Sequence, residues 1–368
     1  MRCIANVFTV ILFIFQFGAC AQPQTPSLDD ELGQLLMVGF RGMEVDSLNH
    51  IYQDIKEHNI GGVILFDYDV PNRIADRNVQ NPKQVRMLVQ SLQELGTTPL
   101  FIAIDQEGGR VNRLKSRYGF PAIPSADYLG SLNNADSTRF YYGNQAQLLS
   151  GLGINVNFAP VVDINTNPEN PVIGSIERSY SSDTTIVTEQ AAIAVQAYTN
   201  KHVTPVLKHF PGHGSSTKDS HLGIVDVTQT WIPSELSPYR SLIQANDAPA
   251  VMTAHIFNKS IDQDWPATLS SKTINGVLRD DLGFKGVVFS DDMQMGAIRN
   301  EYGLETAIEQ ALNAGVDVLV FANNTIYDAE IADKAITIIK QLIAEKRVPE
   351  QTIRAALKRI ATLKQTLQ

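Results

Sequence analysis

Cysteine is almost absent from this chain. Cys3 and Cys20 are the only two in 368 residues, so the body of the protein has no thiol pair for an internal disulfide and no thiolate metal site. Basic runs are missing as well. No stretch is rich in lysine or arginine and the formal net charge is −9, which argues against a phosphate-backbone partner. No apolar run reaches membrane-spanning length. The longest, Val7 to Phe17, is broken only by Thr9 and Gln16. There is also no Gly-rich first turn, no internal repeat, no low-complexity region and no composition shift that would mark a second domain.

What is present begins with that short run. Met1 and Arg2 precede it, and its length suits the core of a signal peptide over residues 1–20. Two exits follow. Gly18-Ala19-Cys20 resembles a lipobox with Phe17 where Leu is usual, and Ala19-Cys20-Ala21 fits ordinary cleavage before Gln22. An isolated Cys at the end of a signal peptide is better explained as a lipid attachment point than as a packing residue. Lipidation of Cys20, with attachment to a membrane, is therefore the preferred expectation over plain secretion. Residues 21–30 read as a tether leading into one domain, 31–368.

Eight apolar, β-rich runs follow: Gln34–Phe40, Gly61–Phe66, Leu100–Asp105, Ile154–Pro160, Val203–Phe210, Ala250–His255, Gly286–Asp291 and Val316–Ala322. Most are continuous rather than alternating, as parallel strands covered on both faces should be. Helical segments lie between them. One opens at Asn81-Pro82 and stops at Gly96; another is capped by Asp183 or Thr184; a third runs from Leu304 to Ala314 and closes at Gly315. Ile331–Glu345 and Pro349–Leu367 complete the set. Eight strand–helix alternations predict an α/β fold, a single-domain (β/α)₈ TIM barrel. An open doubly wound sheet is the runner-up.

A barrel of this kind places its chemistry at the C-terminal ends of the strands, and polar clusters stand there repeatedly. Strand three ends in Asp105, followed by Gln106-Glu107-Gly108-Gly109-Arg110-Val111-Asn112-Arg113. A buried acid at a strand end needs a partner, and an internal Asp–Arg pair that only stiffens the loop is the plain reading. Strand four leads through Asn157-Phe158-Ala159-Pro160 and Asp163 into a long loop carrying Arg178, whose partner is either a ligand or a neighbouring carboxylate. Strand five gives the sharpest signal: Lys208-His209-Phe210-Pro211-Gly212-His213-Gly214, then Asp219-Ser220-His221. Three of the seven histidines fall here, on a Gly/Pro loop. Zinc is one reading, but the irregular spacing and the charge of Lys208 count against it. An Asp two residues before a His can orient the imidazole and raise its basicity. Strand seven ends in Ser290-Asp291-Asp292; adjacent residues point to opposite sides, so one carboxylate should face the barrel mouth and the other its support. His255 reads as a supporting hydrogen-bonding residue.

These motifs together resemble glycoside hydrolase family 3, specifically its single-domain β-N-acetylglucosaminidase (β-N-acetylhexosaminidase) branch, in the family's order and over roughly residues 30–325. The resemblance implies Asp291 as nucleophile, His221 as acid/base oriented by Asp219, and sugar-binding positions at Asp105, Arg113, Arg178, Lys208 and His209. Ser215-Ser216 stands where many members carry Asp-Thr. It further implies a retaining hydrolase that removes terminal N-acetylglucosamine from peptidoglycan fragments or related glycans, with no metal or organic cofactor; a monomer is expected, and the N-terminal segment, unlike that of the many cytoplasmic members of this branch, places it in the periplasm or on a membrane. Three alternatives remain open: a family-3 β-glucosidase, a phosphorylase in which a neutral His tolerates an incoming phosphate, and a non-catalytic sugar-binding surface protein.

Overall fold

The apolar runs become the staves of a barrel. A computed structural model describes residues 28–75, 77–220 and 223–367; the expected signal segment, Cys20 and His221 lie outside them. The barrel strands are β1 (Leu36–Gly39), β2 (Gly62–Leu65), β3 (Phe101–Ile104), β4 (Val156–Asn157), β5 (Thr204–Phe210), β6 (Ala250–Thr253), β7 (Val287–Phe289) and β8 (Leu319–Phe321). All neighbours in this order pair in parallel, and β8 returns to β1. A bridge from Phe289 to Val318 brings β7 to the start of β8, and Ser290 Oγ accepts from the Val320 N–H at 2.9 Å, closing the ring. Each strand lies inside its expected run.

The runs are trimmed where side chains replace ladder partners. At β4, the Asn155 carboxamide accepts from Ile102 N at 2.7 Å and donates to Leu100 O at 2.8 Å, leaving only two residues in regular pairing. Inside the ring, Phe289 meets Phe101 and Phe158 edge-on, with centroids 5.9 and 5.6 Å apart. Such rings fill the barrel with apolar surface and make it a packed core rather than a pore.

The outer helices are α1 (His50–Lys56), α2 (Pro82–Leu95), α3 (Ala135–Leu152), α4 (Thr184–Thr199), α5 (Ser237–Gln244), α6 (Lys272–Asp281, wound as a π-helix), α7 (Gly296–Ala314), α8 (Ile331–Ala344) and α9 (Glu350–Lys364). The two expected caps form: Asn81 accepts from Gln84 N at 3.0 Å and Asp183 from Thr185 N at 2.8 Å. The helix expected from Leu304 begins earlier, at Gly296, and breaks its winding at Gly303. Of the tether expected over residues 21–30, residues 28–30 belong to a short helix, Leu28–Glu31, with Leu28 packed on the core. No helix among the described residues is long and apolar enough to cross a membrane.

The two poles differ. At the N-terminal ends of the strands, Asp317 is clasped by Arg279 at 2.9 Å and Arg359 at 2.7 Å, an ion cluster that pins α6 and α9 under β8. The opposite pole carries the long loops and most of the polar signals read from the sequence.

Candidate active site

Strand β3 delivers Asp105 to that pole, and the next residues turn back sharply. Gly108 and Gly109 adopt φ of +106° and +53°, and a Cβ on Gly108 would stand 2.2 Å from Pro124 O. Only glycine fits a turn this close to another backbone. The turn returns Arg113 to Asp105, 3.2 Å away. The internal pair foreseen from the sequence therefore exists, but it is one link of a longer chain. Lys208, from β5 and only 2 % exposed, places Nζ 2.8 Å from Asp105 and 2.7 Å from Glu107. Glu107 in turn receives Arg178 through two bonds of 2.8 and 2.7 Å.

Arg178 also donates to His209 Nε2 at 3.1 Å. A guanidinium only donates, so that nitrogen accepts and the ring carries its hydrogen on Nδ1, which faces Asp163 at 2.6 Å. Asp163 further accepts from the backbone N–H of His213 at 2.7 Å. One carboxylate thus gathers the whole turn that follows β5. Register slips between Leu207 and Phe210, where the Lys208–His209 peptide is cis.

Three carboxylates (Asp105, Glu107, Asp163) face three cations (Lys208, Arg113, Arg178). Burial alone would push the acids up, but the cations prevail: Lys208 and Arg113 hold Asp105 well below the usual carboxylate range. Arg178 and Lys208 do the same for Glu107. Asp163, also buried, is held low by His209 and His213. The result is a fixed set of charge-assisted donors and acceptors, with Asp105 and Arg113 partly open to solvent, of the kind that orients the hydroxyls of a sugar. All five positions expected to bind the sugar, Asp105, Arg113, Arg178, Lys208 and His209, lie in this one network. Glu107 and Asp163 belong to it as well. Each follows an apolar strand, and the signal that drew attention to Asp105 could have found them.

The adjacent acids after β7 have unlike surroundings. Asp292 Oδ1 accepts from the backbone N–H groups of Gln294 at 3.1 Å and Ala322 at 3.0 Å, and its carbonyl accepts from His255 Nε2 at 2.9 Å. His255 bonds Thr268 at 2.8 Å with its other nitrogen, the supporting part expected of it. Asp292 therefore knits β7 to β8. Asp291 is half-buried and its carboxylate bears on the imidazole of His213. Burial drives that imidazole down to about 4. His213 Nε2 lies 3.3 Å from the Ser220 hydroxyl. Thr217 and Lys218 are exposed, Asp219 is half-buried and Ser220 is buried, which ends the described part of the loop. Among the described residues, no three His, Cys, Asp or Glu side chains are grouped so as to hold a metal ion.

Known proteins resemble this chain over most of its length. The model described as the glycosyl hydrolase family 3 N terminal domain matches residues 27–363. A protein named Beta-hexosaminidase A from Pseudoalteromonas piscicida is 32% identical over 96% of this chain, which spans 64% of that protein's length. Beta-hexosaminidase LpqI from Mycobacterium tuberculosis is 33% identical, with 94% of this chain and 86% of the relative covered. Among solved structures, a glycoside hydrolase family 3 beta-N-acetylglucosaminidase from Paenibacillus sp. str. FPU-7 superposes with a TM-score of 0.85 at 35% identity, covering 93% of this chain and 63% of that one.

Proposed function

The chain belongs to glycoside hydrolase family 3, and on that premise we propose that it is a retaining exo-β-N-acetylhexosaminidase releasing terminal N-acetylglucosamine. In this reading Asp291 attacks the anomeric carbon and the glycosidic C–O bond breaks. His221, oriented by Asp219, gives its proton to the leaving oxygen. The same imidazole then takes a proton from water as the water displaces Asp291, which restores the enzyme and keeps the β configuration. Most retaining enzymes use a second carboxyl for the proton; an imidazole serves because it titrates near neutrality. Asp105, Arg113, Arg178, Lys208 and His209 hold the sugar.

One observation carries the proposal. The Asp291 carboxylate is near enough to act on His213 through its charge, and His213 Nε2 lies 3.3 Å from the hydroxyl of Ser220, the residue immediately before His221. The end of β7 and the described end of the β5 loop thus both lie near His213, which supports a nucleophile and a proton donor acting on one bond. The names carried by the relatives favour an N-acetylated hexose over glucose. Residues 1–20 read as an export signal and Cys20 as a lipid anchor, which suits peptidoglycan fragments or related glycans outside the inner membrane as substrates. Proton NMR of turnover on an aryl N-acetyl-β-glucosaminide in phosphate-free buffer tests the reading. Free β-N-acetylglucosamine should appear first. The α anomer as first product, or a strict requirement for phosphate, would overturn it.

A further inference from the structure

Below the β5 loop lies a carboxyl that the mechanism leaves unused. Glu235 sits in a 3₁₀ turn, Pro233–Leu236, that feeds α5, and it is 0 % exposed. The turn packs directly on the loop. Trp231 Nε1 donates to Pro211 O at 3.1 Å. Gly212 adopts φ of +119°, and a Cβ there would stand 2.6 Å from Glu235 Cβ and 2.7 Å from its Oε2. The carboxyl faces the Ser215 hydroxyl and the Gly214 backbone, yet neither of its oxygens reaches a hydrogen bond of good geometry among the described residues.

A carboxyl in that position is expensive. Burial pushes it up to about 7, and a leucine of similar volume would fill the space without taking a charge or an unsatisfied polar group out of water. Packing alone does not explain an acid here. What Glu235 touches is the stretch that leads to Asp219 and Ser220. We propose that Glu235 is a positioning residue: it props the Pro211–Ser216 turn from beneath and so sets the reach of the loop end that delivers the leaving-group proton. This rests on the reading of His221 as acid/base.

The leaving group supplies a readout that a structural role would not move. Kcat/KM reports the step in which the glycosidic bond breaks. That step needs a proton for a phenyl N-acetyl-β-glucosaminide and hardly any for the 2,4-dinitrophenyl glycoside. Glu235→Leu should melt at or above the parent temperature while losing at least tenfold more kcat/KM on the phenyl than on the dinitrophenyl substrate. Glu235→Gln, which keeps the shape, should recover most of the difference. His221→Ala serves as the reference and should show the same selectivity more strongly. A Glu235→Leu protein that melts well below the parent, or that loses both substrates in equal proportion or neither, assigns Glu235 to the fold alone and overturns the proposal. Equal losses for His221→Ala would instead overturn the acid/base reading, and the Glu235 assignment with it.

Discussion

Asp291 and Asp292 are neighbours in sequence and opposites in circumstance. The alternation of a strand says that two such acids face different sides, but not which one faces the mouth. The barrel seam separates them, because Asp292 accepts from the backbone N–H groups of Gln294, in its own turn, and Ala322, just past β8. Asp105 was legible because charge at the end of an apolar strand is costly without a partner, whereas the parts of Lys208 and Arg178 were implied by the family resemblance. Glu235 was not, because nothing in Pro-Ser-Glu-Leu marks the acid as buried. His213 supports a prediction at this scale. Its imidazole is held near 4 in the fold against about 6.5 in an unfolded chain. Between those values the unfolded chain binds the proton and the folded one does not, so stability falls as the pH drops from about 6.5 to about 4. His213→Asn cannot take up that proton, and melting temperatures measured across this window should show a shallower acid slope than the parent. A second prediction concerns Arg178. Its fork meets Glu107 through two bonds, which a lysine cannot reproduce. Arg178→Lys should raise KM for an aryl N-acetylglucosaminide about tenfold or more, consistent with the loss of a charge-assisted bond worth ~1.5–3 kcal/mol; an unchanged KM would remove Arg178 from sugar binding.

At the scale of elements, the strands were easier to read than the helices. Continuous Val, Ile, Leu and Phe runs leave little doubt about a buried parallel strand, whereas α3 buries Thr138, Tyr142 and Gln145 along with its leucines. Those polar groups are satisfied across the interface: Gln145 donates to Gln106 O at 2.5 Å, and Tyr142 pairs with Tyr180. An amphipathic pattern is blurred when the buried face is itself polar. Where capping chemistry was explicit, the boundary was found, as at Asn81 and Asp183. The corresponding prediction is structural and silent in catalysis. Asn81→Ala removes the bond to Gln84 N and should cost about 1 kcal/mol in chemical denaturation, with kcat unchanged. A drop in kcat would show that α2 communicates with the mouth of the barrel.

The molecule as a whole divides its labour between two poles. Ion clusters such as Asp317 with Arg279 and Arg359 lock the N-terminal end of the barrel, while the C-terminal end gathers long loops, irregular backbone and a balanced set of buried charges. Regular repetition of strand and helix made that division legible in the sequence. Which side chains pair at the ends of β3, β5 and the loops between them was not legible, since only the folded backbone sets those partners. The central claim is that Asp291 carries the sugar during turnover. It is tested most directly by incubating the protein with a 5-fluoro N-acetylglucosaminyl fluoride, digesting it and locating the label by mass spectrometry. The account predicts one glycosyl adduct, on the peptide containing Asp291, and none on an Asp291→Asn protein. A label on Asp105 or Asp292 instead, or steady hydrolysis by Asp291→Asn at the parent's rate, would contradict it.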